Sequence, residues 1–453
     1  MGPPPTRVEG RGQKINWLEV MHLCAMLTAM KRTFLSLWLL FCMVALPAYS
    51  IHPRQVEQPF DSTKELSKID FSQSLAANQE EWVDNTSVSL LTVGPGDPLY
   101  AWFGHSALIV KQPSGTKIMY DWGIFDYEQE HFYLNFARGR MYYYVVASEA
   151  AWRIQEAIDE VRDVRLVELN LSREAKFALI NFLQKHITNE YSTYLYHFYY
   201  DNCATRIRDI IDFATLGAFR EWAEQEPGQG SYRQLTAQYM IHSPALFWVL
   251  DTLQSRIIDT RLNRYEELFL PEKLHQAVLD FSYPDGTRLA AEEQVLQDTA
   301  AMDVRFTVKD ELVDYDWAYA LFGFVFALLL FILGRKLPSL KRILLGLVFL
   351  GLGVLGSLLL FMMLFSDMDM TYFNENILFL NPLLFVIAFE FLVQKKQSSR
   401  LLAYCSVIMI VLLGLKFLAP AFALQDNLRT MAVLLPVYLL GSSFQGRRNR
   451  KDR

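Results

Sequence analysis

The segment WAYALFGFVFALLLFILG, residues 317–334, is an uninterrupted apolar run long enough to cross a bilayer as one helix. Four more apolar runs follow, at residues 343–365, 377–393, 401–418 and 428–444. About 20 apolar residues match the hydrocarbon thickness of a membrane. We therefore predict that residues 316–445 form an all-α bundle of about five transmembrane helices, followed by a basic cytoplasmic tail at residues 446–453.

The charges between these runs predict which side of the membrane each linker faces. Lys and Arg gather after the first run, after the third run and in the tail. Residues 366–376, between the second and third runs, carry three acidic side chains and no Lys or Arg. Because Lys and Arg favour cytoplasmic loops, the chain before residue 316 is expected on the outer side.

An Asn-rich segment that contains a proline, residues 374–382, lies at the start of the third run. Polar groups at a membrane surface need partners, so this segment either lines a cavity or caps a helix with interfacial side chains. The sequence alone does not decide between the two.

A separate hydrophobic stretch lies near the N-terminus. Lys31 and Arg32 precede an apolar run at residues 33–46, and Ala48 and Ser50 follow it. A basic start, an apolar run and small residues at the −3 and −1 positions are typical of a secretory signal. A permanent N-terminal anchor is the alternative. We predict an N-terminal extension and signal peptide at residues 1–50 and an exported domain at residues 51–315.

The exported domain contains one cysteine. Two of the four cysteines lie in the leader and Cys405 lies in an apolar run, which leaves Cys203. Asn202 is a candidate N-cap for the amphipathic helical pattern that follows, so Cys203 falls in its first turn. The N–H groups and the dipole of a helix start stabilise a thiolate. The position therefore favours a reactive thiol over a merely buried one.

A thiolate nucleophile usually works with a nearby imidazole, and the exported domain has seven histidines. His105 is the best candidate because it stands among small residues at the start of a strand. That strand belongs to a predicted β-hairpin around the turn at residues 113–115. Asp121 on the second strand is the candidate orienting group, with Asp126 as the fallback. His197, six residues before the cysteine, is the other imidazole considered.

Several functional classes are disfavoured. A net charge of −6 gives no sequence-independent attraction to nucleic acid. A metal site is not expected, because the exported domain has no cysteine pair and no two histidines at ligand spacing. Residues 94–96 form a turn pattern and not a glycine-rich phosphate loop. No cofactor is expected.

Three motifs of the exported domain resemble a known family. Residues 103–108 (FGHSAL), 120–126 (YDWGIFD) and 201–206 (DNCATR) look like the N-terminal periplasmic domain of the Bacteroides-type lipoprotein N-acyltransferase family. Arg233 and Asp259 also fit the later part of that domain, and the Asn-rich segment resembles the family's transmembrane domain. The resemblance implies an α+β periplasmic domain, similar to circularly permuted papain-like or NlpC/P60-like thiol enzymes, in which His precedes Cys.

The resemblance also implies roles for particular residues. Cys203 would be the nucleophile, His105 the general base and Asp121 the orienting group. The residues expected to bind substrate or support the site are Asn202, Arg206 and Tyr120.

The implied function is that of a membrane-bound lipoprotein N-acyltransferase of the bacterial inner membrane, with its soluble domain in the periplasm. A thioester on Cys203 would carry an acyl chain from a phospholipid to the N-terminal amine of a diacylated lipoprotein. The N–H groups at the helix start would stabilise the oxyanion by about 3 kcal/mol. Two alternatives stay open: a membrane-tethered cysteine peptidase or amidase acting on cell-wall peptides, and a non-catalytic envelope assembly module.

Overall fold

A computed structural model describes residues 75–126, 128, 130–188, 192–300, 308, 312, 314–396, 398–418 and 424–442. The predicted signal peptide and the predicted basic tail lie outside these residues. Within them, an α+β soluble domain precedes a helical C-terminal region, as the sequence predicts.

The strands of the soluble domain are β1 Ser87–Val93, β2 His105–Lys111, β3 Lys117–Ile124, β4 Tyr142–Glu149, β5 Val164–Leu169, β6 Thr193–Leu195, β7 Pro227–Ser231, β8 Arg261–Asn263 and β9 Ala290–Gln297. Seven of them form one antiparallel sheet, in the order β6-β4-β3-β2-β1-β5-β9, and β7 pairs with β8. The predicted hairpin of β2 and β3 is confirmed, with Ala107 opposite Asp121.

The helices of the soluble domain are α1 Ala77–Asp84, α2 Phe132–Ala137, α3 Ala150–Asp159, α4 Arg173–His186, α5 Cys203–Ala214, α6 Ala218–Gln225, α7 Tyr232–Tyr239, α8 Pro244–Leu253, α9 Arg264–Glu267 and α10 Pro271–Asp280. They cover the two faces of the sheet unequally. One face packs against α4, α5, α6 and α10 around Leu90, Leu108 and Trp122. The other face packs against α3 in a smaller apolar core.

The described part of the C-terminal region contains α11 Asp316–Lys336, α12 Pro338–Phe365, α13 Leu384–Leu392, α14 Arg400–Leu418 and α15 Leu428–Ser442. Of these, α11, α12 and α14 are long and apolar enough to cross a membrane. The helices α13 and α15 are shorter, so the described residues contain three clear spans, and a bundle of about five helices remains consistent with them.

The third apolar run is not one continuous helix. It contains a 3-10 turn, Glu375–Leu378, and then the short helix α13. Asn381 accepts the N–H of Leu383 at 3.0 Å and the proline between them has no N–H, so the helix begins only afterwards. Asn374 caps the 3-10 turn. Asn376 and Asn374 both donate to the carbonyl oxygen of Thr252 in the soluble domain, at 2.9 Å each.

Buried contacts join the soluble domain to the outer end of the helical region. Arg233 of α7 pairs with Asp251 at 2.6 Å and with Asp259 at 2.5 Å. Asp259 in turn accepts the N–H of Asp426, just before α15, at 2.8 Å. An apolar cluster spans the same boundary, and its buried members are Tyr199, Tyr232, Leu235, Tyr239, Ile258, Leu262, Phe269, Leu270, Met368 and Met370. The two regions therefore share one packed interior.

Two glycines of α12 give a test of the packing between the membrane helices. A Cβ on Gly356 would come within 2.6 Å of the backbone nitrogen of Asn381, whereas a Cβ on Gly351 would meet nothing within 4 Å. We expect Gly356→Ala to lower the free energy of unfolding by about 1–3 kcal/mol through overpacking. Gly351→Ala should leave it unchanged or raise it by up to about 1 kcal/mol through helix propensity. Thermal unfolding of the full chain in detergent measures both, and equal midpoints would contradict the packing.

Candidate active site

Asn202 fixes the start of α5, the helix that begins at Cys203. Its Oδ1 accepts the N–H groups of Ala204 and Thr205 at 2.9 Å each. The Thr205 hydroxyl accepts the Asn202 N–H at 2.7 Å, which completes a capping box. The side-chain amide of Asn202 donates to two carbonyl oxygens outside the helix. The predicted N-cap and the predicted place of Cys203 in the first turn are both confirmed.

Arg206 and Asp201 form a buried ion pair beside this helix start. The guanidinium binds both carboxylate oxygens, with Nη2 at 2.7 Å from Oδ2, and lies 4.2 Å from the ring centre of Tyr194. The backbone of Asp201 pairs with that of His197 in an isolated bridge. Arg206 therefore holds the turn that leads into Cys203.

His105 and Asp121 lie on the same face of the sheet, on paired strands. Strand β2 begins at His105, and β3 carries Asp121 opposite Ala107. Because side chains alternate along each strand, the imidazole and the carboxylate are diagonal neighbours. The Nε2 atom of His105 forms a hydrogen bond with Oδ1 of Asp121. The nitrogen that remains to face a thiol is therefore Nδ1.

The Cys203 and His105 side chains come together at Gly123 of β3. A Cβ on this glycine would lie 3.8 Å from Cys203 Cβ and 3.9 Å from His105 Cε1. Gly123 has a φ of +93°, a region that favours glycine, and β3 has an irregular register with β4 at this point. The missing side chain and the bulge leave the space in which the thiol and the imidazole face each other.

The His105 imidazole holds its proton strongly. Burial lowers the pKa of His105, but the charges of Asp121 and Cys203 and the hydrogen bonds with both outweigh this effect. Together they raise the pKa of His105 from 6.5 to about 10. The geometry therefore favours an imidazolium between a carboxylate and the sulfur at neutral pH.

Arg153 of α3 is a member of this group that the sequence analysis missed. Its Nε lies 3.4 Å from Oδ2 of Asp121, and its Nη1 pairs with Glu156 one turn further along the helix. A guanidinium on the second oxygen of Asp121 leaves the first oxygen to face His105. The only local signal in the sequence is the i,i+3 pair with Glu156, which gives no indication of the strand that Arg153 contacts.

Three other candidates lie elsewhere. Tyr120 points to the opposite face of the sheet from Asp121. Its side chain is buried there in the apolar core formed with α4, α5, α6 and α10, so its place in the fold is explained by packing. Asp126 is exposed and accepts a backbone N–H two residues on, at 2.8 Å. His197 accepts two backbone N–H groups at Nδ1, and its Nε2 lies 3.3 Å from Asp369, which follows α12. His197 therefore contacts the membrane half and not the Cys203 thiol.

The backbone donors at the start of α5 differ from the expectation that the whole first turn is available to an oxyanion. Asn202 already accepts the N–H groups of Ala204 and Thr205, and its own carbonyl accepts that of Arg206. Among the described residues, the N–H of Cys203 has no such acceptor. The helix start therefore offers one backbone donor next to the sulfur.

The fold and the site define a class of protein: a membrane protein whose α+β domain gathers a Cys–His–Asp group beside the outer end of its membrane helices. Groups of this kind are used in covalent catalysis. Within the described ranges, no three His, Cys, Asp or Glu side chains are grouped as a metal site requires.

Comparison with protein families identifies the family. The Lnb N-terminal periplasmic domain matches residues 77–238, and the Lnb transmembrane domain matches residues 317–448. The chain therefore belongs to the Lnb-type lipoprotein N-acyltransferase family, and it is an inner-membrane protein with a periplasmic soluble part. The resemblance seen in the sequence motifs is confirmed. No curated protein and no solved structure matches the chain.

The raised pKa of His105 predicts a pH-dependent effect of Asp121→Asn. A histidine with a raised pKa stabilises the fold fully below the unfolded value near 6.5, and this contribution is lost as the pH rises through about 10. Since Asp121 raises this pKa, we expect Asp121→Asn to lower the thermal midpoint of the full chain more at pH 6.5 than at pH 10.

Asp126→Asn is the matched control for this measurement. Asp126 is exposed and bonded to a backbone N–H, so its replacement should change the midpoint little and equally at both pH values. An Asp121→Asn shift that is the same at pH 6.5 and pH 10 would show that the carboxylate does not stabilise an imidazolium.

Proposed function

We propose that this protein moves an acyl chain from a phospholipid to the N-terminal amine of a diacylated lipoprotein. The observation that carries the proposal is the meeting of Cys203 and His105 at Gly123, in a domain that packs on the outer end of membrane helices. A thiol next to an imidazole is suited to attack on a carbonyl carbon. Membership of the Lnb-type lipoprotein N-acyltransferase family supports the same reaction.

In the first half of the proposed reaction, the Cys203 sulfur attacks the ester carbonyl carbon of a phospholipid. The tetrahedral oxyanion is stabilised by the free N–H of Cys203. The bond between the carbonyl carbon and the glycerol oxygen then breaks, and the His105 imidazolium gives its proton to that oxygen. A lysophospholipid leaves, a thioester remains on Cys203, and His105 is neutral.

In the second half, the α-amine of the lipoprotein's N-terminal cysteine attacks the thioester carbonyl. His105 takes the proton that the amine loses, and the Cys203 thiolate leaves as the amide forms. The imidazolium and the thiolate are then restored. Asp121 stabilises the imidazolium in this state and holds the ring in place.

The location of the thiol favours lipid substrates. The segment before Cys203 includes Tyr199, which packs with Met368 and Met370, only a few residues after the end of α12. Each CH₂ group withdrawn from lipid costs about 0.8 kcal/mol, so pulling out a chain of ~16 carbons would cost more than about 10 kcal/mol. A thiol fixed near the bilayer surface allows most of the chain to remain in an apolar environment.

The test uses the full chain in nanodiscs that contain an alkyne-tagged phospholipid. Without an acceptor we expect a tagged thioester on Cys203, seen by mass spectrometry of the protein and removed by neutral hydroxylamine. After addition of a diacylated lipopeptide, the tag should appear on the lipopeptide amine. Cys203→Ala has no sulfur to carry the acyl chain, so it should form no thioester at this position and should reduce the tagged lipopeptide by about 10³-fold or more.

Cys405→Ala is the matched control, since Cys405 is a free cysteine buried in α14. It should retain both products. A tagged product that persists in Cys203→Ala would refute the thiol mechanism. Cleavage of cell-wall peptide that depends on Cys203, with no transfer to the lipopeptide, would instead establish the peptidase or amidase alternative.

A further inference from the structure

The short helix α2 presents apolar side chains to its surroundings. None of its residues is buried, and Tyr133, Leu134 and Phe136 are 86%, 42% and 46% exposed. Three large apolar side chains on six residues form an apolar patch that is unusual on a protein surface in contact with water.

The chain just after α2 is fixed to the end of a membrane helix. The carbonyl oxygen of Arg138 accepts the N–H of Asp367 at 2.7 Å, and the Arg140 side chain pairs with Asp367 at 2.8 Å. Gly139 fits against Met368 so closely that a Cβ would come within 2.6 Å of its side chain. The membrane helix α12 ends at Phe365, two residues before Asp367. The residues that follow α2 are therefore held next to the outer end of a membrane span.

This attachment determines the surroundings of the apolar patch. Tyr133 lies five residues before Arg138, which is about 8 Å along a helix axis. The headgroup and interfacial region of a bilayer is of similar depth on each side. Aromatic side chains next to Arg are typical of segments that lie in this region.

A row of aromatic rings runs from α2 towards Cys203. Phe132 of α2 stacks on Phe125 with ring centres 6.2 Å apart, Phe125 stacks on Tyr143 at 4.7 Å, and Tyr143 stacks on Tyr196 at 4.3 Å. Burial raises the pKa of the Tyr196 hydroxyl, and the nearby Cys203 raises it further, so the last ring of the row lies beside the thiol. The row thus connects the exposed patch with the neighbourhood of the thiol.

We propose that α2 lies in the headgroup region of the outer leaflet, and that the phospholipid bilayer covers Tyr133, Leu134 and Phe136. The row of rings behind it is the apolar route by which a phospholipid acyl chain approaches Cys203. The contact of α2 with the bilayer is inferred from geometry alone, whereas the route for the acyl chain rests on the proposed acyl transfer.

The bilayer contact is tested by photocrosslinking, which needs no enzymatic activity. Benzoylphenylalanine replaces Tyr133 in the full chain, in nanodiscs of phosphatidylethanolamine and phosphatidylglycerol with alkyne-tagged acyl chains. Phe322, exposed on the membrane helix α11, is the positive control, and Val295, exposed on β9 at the opposite edge of the sheet, is the negative control. We expect lipid adducts at 133 to exceed those at 295 by about tenfold. Equal yields at 133 and 295, or crosslinks at 133 to a second copy of the chain, would overturn the bilayer contact.

The route is tested by replacing the patch with serines, as Tyr133→Ser together with Phe136→Ser. We expect thioester formation from bilayer phospholipid to fall by about tenfold, because the chain loses its apolar entry. Formation from a water-soluble p-nitrophenyl ester should be unchanged, and Val295→Ser should alter neither rate. Equal losses with both donors would overturn the route. Absence of any thioester in the unmodified chain would refute the proposed function, while the crosslinking result would still decide the bilayer contact.

Discussion

The hydrogen bonds of the Asn202 side chain are the constraint on which the site depends. A side-chain amide has one acceptor oxygen and two N–H donors. In this protein the oxygen binds the first turn of α5, and the nitrogen donates to the carbonyl oxygens of Phe198 at 2.8 Å and Phe269 at 2.9 Å. One buried side chain thus fixes the helix of Cys203, the segment before it and a segment some 67 residues away in the sequence. Leaving one of these buried amide groups without a hydrogen-bond partner would lower the stability of the fold by about 1–3 kcal/mol. Conformations in which the Cys203 segment moves away from Asn202 are therefore disfavoured.

The parts of the site that could be predicted from the sequence are those with local causes. The N-cap at Asn202 depends on residues within one helical turn. The proximity of His105 to Asp121 depends on the register of the β2–β3 hairpin, and the short turn between these strands sets that register. Arg153 could not be predicted, because its contact with Asp121 depends on how α3 packs across the sheet. Tyr120 was expected near the site because of its place in a motif, but the alternation of side chains along β3 turns it to the other face of the sheet.

The membrane half shows the same division between local and distant causes. Hydropathy identified the long spans because a helix that faces lipid satisfies its own backbone groups. The third run is as apolar, but just before it Asn374 and Asn376 bond to Thr252, about 120 residues earlier in the chain. Hydropathy reflects how many polar residues lie in a segment, but it gives no information on where their hydrogen-bond partners lie in the fold. The late start of α13 thus has a local cause in Asn381 and the proline after it, whereas the segment before them is held by the soluble domain that packs above it.

The buried contacts between the two halves restrict how the proposed reaction can proceed. Asp251 of the soluble domain and Arg429 of α15 are both buried and lie 3.8 Å apart, and breaking a buried ion pair costs about 3–5 kcal/mol. The methionines after α12 add apolar contacts around Tyr199, directly before the Cys203 segment. A domain held in this way does not swing between a donor and an acceptor, so both substrates must come to one fixed thiol. A covalent acyl-enzyme answers that constraint, because the donor leaves before the acceptor enters and the same space near the bilayer serves each in turn.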